Sequence, residues 1–140
     1  MSDYILEPFK DINLNDLKGD FFEKGWSPVD CDLVEREYIR FLALSRAYPD
    51  EVLAPCKAVD LFWHNHILDT KRYEADCNTY VGFFLHHIPT REDAQDARDR
   101  MRQAGDNTVN RYRRHFGEPG PIWTSERTCI QPGRQNNPPR

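Results

Sequence analysis

The sequence contains no apolar run approaching the ~20 residues of a membrane span, and its opening, MSDYILEPFKD, has neither the basic start nor the apolar stretch of a signal peptide. Those two absences predict a chain that stays off membranes and works in the reducing cytoplasm. Cys31, Cys56, Cys77 and Cys129 nowhere form the closely spaced pairs from which structural zinc sites are built. They read as free thiols, most of them small apolar fillers. A positive surplus is missing too: net charge is −4 and the pI is near 5.7, which leaves no electrostatic footprint for nucleic acid. There is no phosphate-cradling glycine loop, no H-E-x-x-H and no G-x-S-x-G, and no internal repeat. P-loop nucleotide hydrolysis, zincin-type proteolysis and serine hydrolysis by the nucleophile-elbow route are thereby excluded.

What is present is 140 residues, 39% hydrophobic and 30% charged, with a mean hydropathy of −0.80. This is the composition of one globular domain. At such a length roughly two-thirds of the unfolded surface is buried on folding. With 3 Trp, 6 Tyr and 8 Phe to fill the core, no metal is needed to hold the fold.

The hydrophobic spacing predicts an all-α protein: a compact bundle of three main helices with a short N-terminal one, residues 1–123 forming the domain and 124–140 a Pro- and Gly-rich tail. An extended lead-in should precede a short helix over 14–24. Ser27-Pro28-Val29-Asp30 is a clear start signal, with Ser27 as cap and Pro28 at the first helical position, for a helix over 28–48. Val34, Tyr38, Phe41, Leu42, Ser45 and Tyr48 line its apolar side, and Pro49 ends it. No Gly or Pro interrupts residues 57–80, so one continuous helix is expected there. Another over 91–116 carries Ala97, Met101, Ala104, Thr108, Tyr112 and His115 at three- and four-residue steps, with Gly117 just past its end. Beyond it only Ile122 and Trp123 look able to anchor the chain.

All five histidines fall between 64 and 115. Imidazole is the commonest transition-metal ligand and the side chain best suited to moving protons near neutral pH. On a helical wheel at ~100° per residue, His66 falls inside the apolar stripe with Val59, Phe62, Trp63, Thr70, Tyr73 and Cys77. His64 falls on the polar margin with Asp60, about 200° from His66, so a regular helix cannot aim both at one ion. His66 is therefore expected to pair with His86 or His87 from the link after the helix, or with His115, and Asp69 to add an oxygen one turn away. Asp60 at i−4 could orient His64 as ligand or general base. The same histidines could equally be hydrogen-bonded core, and His115 could simply complement its helix dipole.

Two patterns weigh less. Cys77 with a distant histidine could make a nucleophile and base, but such a pair carries little specificity without geometry. Arg111-Tyr112-Arg113-Arg114 shares its helix with Asp96, Asp99 and Asp106, which reads as a solvated, salt-bridged face and not an RNA contact.

Asp60-x-x-Trp63-His64-x-His66-Ile67-Leu68-Asp69-Thr70-x-x-Tyr73-x-x-Asp76-Cys77, followed by Gly82-x-Phe84-Leu85-His86-His87 and by Phe116-Gly117-Glu118-Pro119 with Trp123, resembles the glycine-rich domain-containing protein-like family in its short bacterial-type members. The likeness covers roughly residues 25–123. The glycine-rich region of larger members is absent, so the resemblance does not carry their regulatory or RNA-linked roles. It implies a small helical domain centred on His64, His66, Asp60, Asp69, Cys77, His86 and His87.

These readings converge on a small metal-binding protein in which one transition-metal ion, zinc, copper or iron, is held by a subset of His64, His66, Asp69, His86, His87 and His115. With an open coordination position the ion would activate water or dioxygen toward a small-molecule or peptide substrate, with His64, Asp60, Tyr73 and Cys77 as candidates for proton transfer or nucleophilic work. The alternative is a non-catalytic protein-interaction domain, meeting a partner or its own copy, with the histidines as structural core.

Overall fold

A computed structural model describes residues 2–88 and 95–124, and among these residues every regular element is helical. A 3-10 helix, Ser2–Phe9, replaces the extended lead-in that the sequence suggests. It is followed by α1 (Asn15–Glu23), α2 (Pro28–Ala47), α3 (Lys57–Leu68), α4 (Thr70–Asp76) running into a π-helical turn (Cys77–Val81), α5 (Gln95–Phe116) and the short α6 (Pro121–Thr124). None is long and apolar enough to cross a membrane.

The central helix forms as its start signal demands. Ser27 Oγ accepts from the Asp30 amide at 3.1 Å and Pro28 occupies the first turn, a cap worth about 1 kcal/mol. Val34, Tyr38, Phe41, Leu42 and Ser45 are buried along one side, and α2 packs against the 3-10 helix, α1, α3 and α5. The rings of Phe21, Tyr38 and Phe62 meet at centroid distances of 5.1–5.2 Å where α1, α2 and α3 converge. Each such ring buried contributes roughly 1.5–3 kcal/mol relative to exposure.

The uninterrupted helix expected over 57–80 breaks at Asp69, whose ψ of 75° leaves the helical region. Asp69 then serves as the residue ahead of α4, its carbonyl accepting from the Tyr73 amide at 2.8 Å. Aspartate competes with its own backbone for hydrogen bonds and favours helix starts, so Asp69-Thr70 acts as a boundary without any Gly or Pro. The break decides the site. On one straight helix, residues ten apart lie about 15 Å from each other along the axis. Here the bend folds α4 back on α3, so that Trp63 reaches Tyr73 and His66 reaches Asp76.

The helix predicted over 91–116 is described from Gln95, its first four residues lying outside the described part of the chain. Ala97, Ala104, Thr108, Tyr112 and His115 are buried as expected, whereas Met101 is 38% exposed. Thr108 Oγ1 accepts from the Ala54 amide at 2.8 Å and so ties α5 to the connection before α3. Ile122 and Trp123 are both buried, and most of the tail expected over 124–140 lies outside the described residues.

Candidate functional site

The corner made by α3, α4 and residues 83–88 holds most of the residues that the sequence marks for chemistry. Gly82, at φ +96°, closes the π-helical turn in a backbone conformation that L side chains rarely adopt, and turns the chain back across α3. Tyr73 is the hinge of the corner. Its hydroxyl accepts from Trp63 Nε1 at 2.9 Å and donates to the Leu85 carbonyl, while Phe84 packs on its ring with centroids 5.3 Å apart.

His66 lies at the bottom, 1% exposed. Its Nε2 is 2.9 Å from Asp76 Oδ2 and its Nδ1 is 2.7 Å from the Tyr38 hydroxyl. A carboxylate only accepts, so Nε2 carries the proton. Burial holds the imidazole below the usual histidine range, outweighing Asp76, so the ring is neutral and Nδ1 accepts from Tyr38. Arg72 Nε stands 3.6 Å from the same Asp76 oxygen, and Arg72 also donates to the Asn13 carbonyl, which locks the acid in place. Both nitrogens of His66 are thus committed to protein partners. Burial raises Tyr38 well above the ordinary phenol value, so this hydroxyl stays protonated.

At the outer edge of the corner His87 packs on the Trp63 ring with centroids 4.4 Å apart, and its Nε2 donates to Asp60 Oδ1 at 2.8 Å. The exposed His64 ring lies 6.1 Å from that of His87. Asp60 therefore orients His87, not His64 as its helical spacing suggests: the returning 83–88 segment places an imidazole closer to the acid than the i+4 position does. His86 packs on Phe84 at 4.8 Å, away from this pair.

The ligand set expected around His66 is not assembled. His86 and His87 stay at the rim, and Asp69 is exposed at the α3–α4 junction. His115, on α5, is buried against Tyr48, whose hydroxyl is 2.7 Å from its Nε2, with the Tyr4 ring 6.1 Å away. His66 and His115 share no partner. Among the described residues no three His, Cys, Asp or Glu side chains gather in a way that could hold a metal ion.

Tyr73 and Cys77 are buried in the same corner. Burial pushes the Tyr73 phenol far up, and it also raises the Cys77 thiol, which is 1% exposed beneath Tyr73. A raised thiol favours its protonated form at neutral pH.

One buried charge is missing from the residues that the sequence singles out. Glu37, 2% exposed, lies within the apolar stripe of α2 between Val34 and Phe41. Its Oε1 accepts from the Tyr112 hydroxyl at 2.6 Å and from Trp123 Nε1 at 2.7 Å. Its Oε2 accepts from Arg36 Nε at 3.0 Å and Arg40 Nη1 at 3.3 Å. A lone carboxylate on an apolar stripe, flanked by arginines at 36 and 40, is the signal that could have found it.

A profile of the family described as UCP032817-like matches residues 10–111, the stretch from the end of the 3-10 helix through most of α5. That description names neither a reaction nor a ligand. No curated protein and no solved structure gives a match. The match overturns the resemblance drawn from the W-H-x-H-x-L-D-T-x-x-Y-x-x-D-C block: nothing points to the glycine-rich domain-containing protein-like family, and the block lies inside the span of the other one.

Proposed function

The chain belongs to the UCP032817-like family, and we propose that this member is a non-catalytic protein-interaction domain in which the histidines are hydrogen-bonded parts of the structure. The state of His66 carries the reading. It is buried, neutral and saturated at both ring nitrogens, with no lone pair to give an ion and no proton placed for transfer. His115 on Tyr48, Tyr73 between Trp63 and Leu85, and the buried Cys77 support the same conclusion.

The outer side of the corner is the surface for a partner. Leu61 and Leu68 are 37% and 67% exposed, and with the exposed His64 they stand at i, i+3 and i+7 on one face of α3. Phe84 and Ile88, on the segment that returns across the helix, expose 42% and 67%. Large apolar side chains facing water on α3 and on the returning segment favour a protein-binding role over a wholly solvated surface. The partner it fits is a protein surface that offers apolar side chains.

A photo-crosslinking phenylalanine derivative at position 68 or 84, in cells that make this chain, should give one discrete cross-linked species, and the same residue at the exposed Glu74 should give none. Absence of any product at 68 and 84 overturns the reading. So does a transition metal held near one equivalent by tag-free protein and lost in His64→Ala and His87→Ala.

A further inference from the structure

The exposed leucines of α3 have an acidic border. Leu61 and Leu68 lie about 10 Å apart along the helix axis, and α1 runs antiparallel beside them. Asp16 meets Arg72 at 3.5 Å, Asp20 Oδ2 accepts from Asn65 Nδ2 at 3.0 Å, and the Phe21 ring stacks on Phe62 at 5.2 Å. Asp16, Asp20 and Glu23, at i, i+4 and i+7, therefore form a row of carboxylates along one flank of the leucines. Asp60 falls on the opposite flank, where it holds His87 at 2.8 Å, and exposed Asp69 closes the end of α3.

Nearby cations do not cancel these acids. Lys18 turns away to Asp32 and Glu35 on α2, at 3.0 and 3.2 Å, and Arg72 is shared between Asp16 and Asp76. Lys24 lies over the Phe21 ring, Lys57 stands in the first turn of α3, and Lys71 and Glu74 on α4 offset each other. With every acid that those cations touch included, nine carboxylates meet five cations. The balance stays negative even when both His64 and His87 carry a charge.

This border selects among the surfaces that exposed leucines could meet. Anionic lipid and nucleic acid both present phosphate, which a row of carboxylates repels. Every regular element among the described residues is helical, so no strand edge is on offer for an extended peptide. An apolar stripe two turns long, flanked by a second helix, is matched by the apolar face of a partner helix, read at i, i+3 or i+4 and i+7.

We infer that the partner of this surface is a cationic amphipathic helix of another protein: its apolar side chains lie over Leu61 and Leu68, and Lys or Arg on its adjoining face pair with Asp16, Asp20 and Glu23. The inference rests on the reading of α3 as an interaction surface and names the chemistry that the surface accepts. The Asp16 side chain is 93% exposed. Charges so placed steer encounter and set partner choice, and salt screens them, whereas the leucines supply the apolar contact.

The probe is a helical peptide of leucine and lysine with one apolar face, beside its leucine–glutamate counterpart and a lysine–serine peptide of equal charge without the apolar face. In ¹⁵N-resolved NMR of the full chain, the leucine–lysine peptide should give saturable shifts at the Asp20, Glu23, Leu61, His64 and Leu68 amides, and the other two should bind at least about tenfold more weakly. Raising sodium chloride from about 50 to about 300 mM should weaken the binding several-fold. Asp20→Asn with Glu23→Gln should weaken it about fivefold, Leu68→Ser about tenfold, and Glu118→Gln, at a side chain 70% exposed beyond the end of α5, not at all. The inference is overturned, with the interaction surface left standing, if the cross-link at position 68 forms in cells and is undiminished by the Asp20→Asn, Glu23→Gln pair, or if the leucine–glutamate peptide binds as tightly on the same amides. Shifts that do not saturate or fall elsewhere overturn it too. Absence of any cross-link at 68 and 84 in the parent removes the surface itself and this inference with it.

Discussion

His66 Nε2 and Asp76 Oδ2 stand 2.9 Å apart across the bend at Asp69, although ten residues separate them in the chain. The contact exists only because α4 folds back, so it measures the corner itself. His66→Ala should remove the imidazole, leave a cavity and strand both the Tyr38 hydroxyl and Asp76, at a cost of about 3 kcal/mol. For a chain of this size that lowers Tm by roughly 10 °C. Asp76→Asn keeps an acceptor for Nε2 and should cost only about 1 kcal/mol. Thermal melts of both variants check the order, and a His66→Ala protein as stable as the parent would remove the corner's structural role.

The protonation of the same ring sets a pH dependence. His66 is held below the ordinary histidine value of about 6.5 chiefly by burial, against the opposing pull of Asp76. His115 is lowered likewise, first by burial and then by Arg114 and Arg111. In both cases the unfolded chain takes up its proton at a higher pH than the folded one. Their contribution is therefore whole above pH 6.5 and is lost as the pH falls from 6.5 through the folded-state values. Urea midpoints should decline from pH 8 to pH 5.5, and His115→Gln should retain only part of the decline. Equal midpoints at the two pH values would refute the assignment of neutral, buried imidazoles.

The helical class and the start of α2 were readable because they rest on local rules: Ser27 and Pro28 act within one turn, and Val34, Tyr38, Phe41 and Leu42 need only their own spacing. The corner was not readable, because Asp69 breaks the helix without a Gly or Pro and so reassigns every partner beyond it. His66 was rightly placed inward by its helical phase, yet its neighbours are Tyr38 and Asp76, which no spacing within 57–80 could supply. Asp60 does orient an imidazole, but the ring is that of His87, brought in through the turn at Gly82, and not that of the local His64. The role of Glu37 is not legible in local spacing, because its four donors come from α2, α5 and α6 together.

The thiols offer a direct check on the non-catalytic reading. Burial raises the Cys31, Cys56 and Cys77 thiols, and pushes Cys56 up to about 11. At pH 7.5 a thiol with that value is ionised in only about one molecule in several thousand. In a Cys129→Ser background, which removes a thiol outside the described residues, iodoacetamide should leave the folded protein unmodified over an hour and label all three cysteines in urea. Rapid alkylation of Cys77 in the folded state would restore a nucleophile to the corner.

Glu37 links the C-terminal α6 to the centre of the fold, since Trp123 Nε1 and the Tyr112 hydroxyl both end on its Oε1 while two arginines hold its Oε2. Alanine at this position leaves a guanidinium that is 25% exposed beside two stranded neutral donors. Removing one member of a buried charged group of this kind costs about 3–5 kcal/mol. Glutamine preserves the shape and one acceptor but turns an amide toward donors, and should cost about 1–3 kcal/mol. The distinguishing readout is the Trp123 indole N–H. Its resonance should lose protection from hydrogen exchange in Glu37→Ala well before the amides of α2 do, because the indole loses its acceptor while α2 keeps its own ladder and cap. A Trp123 N–H that stays as protected as in the parent would mean that α6 is held by the packing of Ile122 and Trp123 alone, and that Glu37 serves the arginines and not the latch.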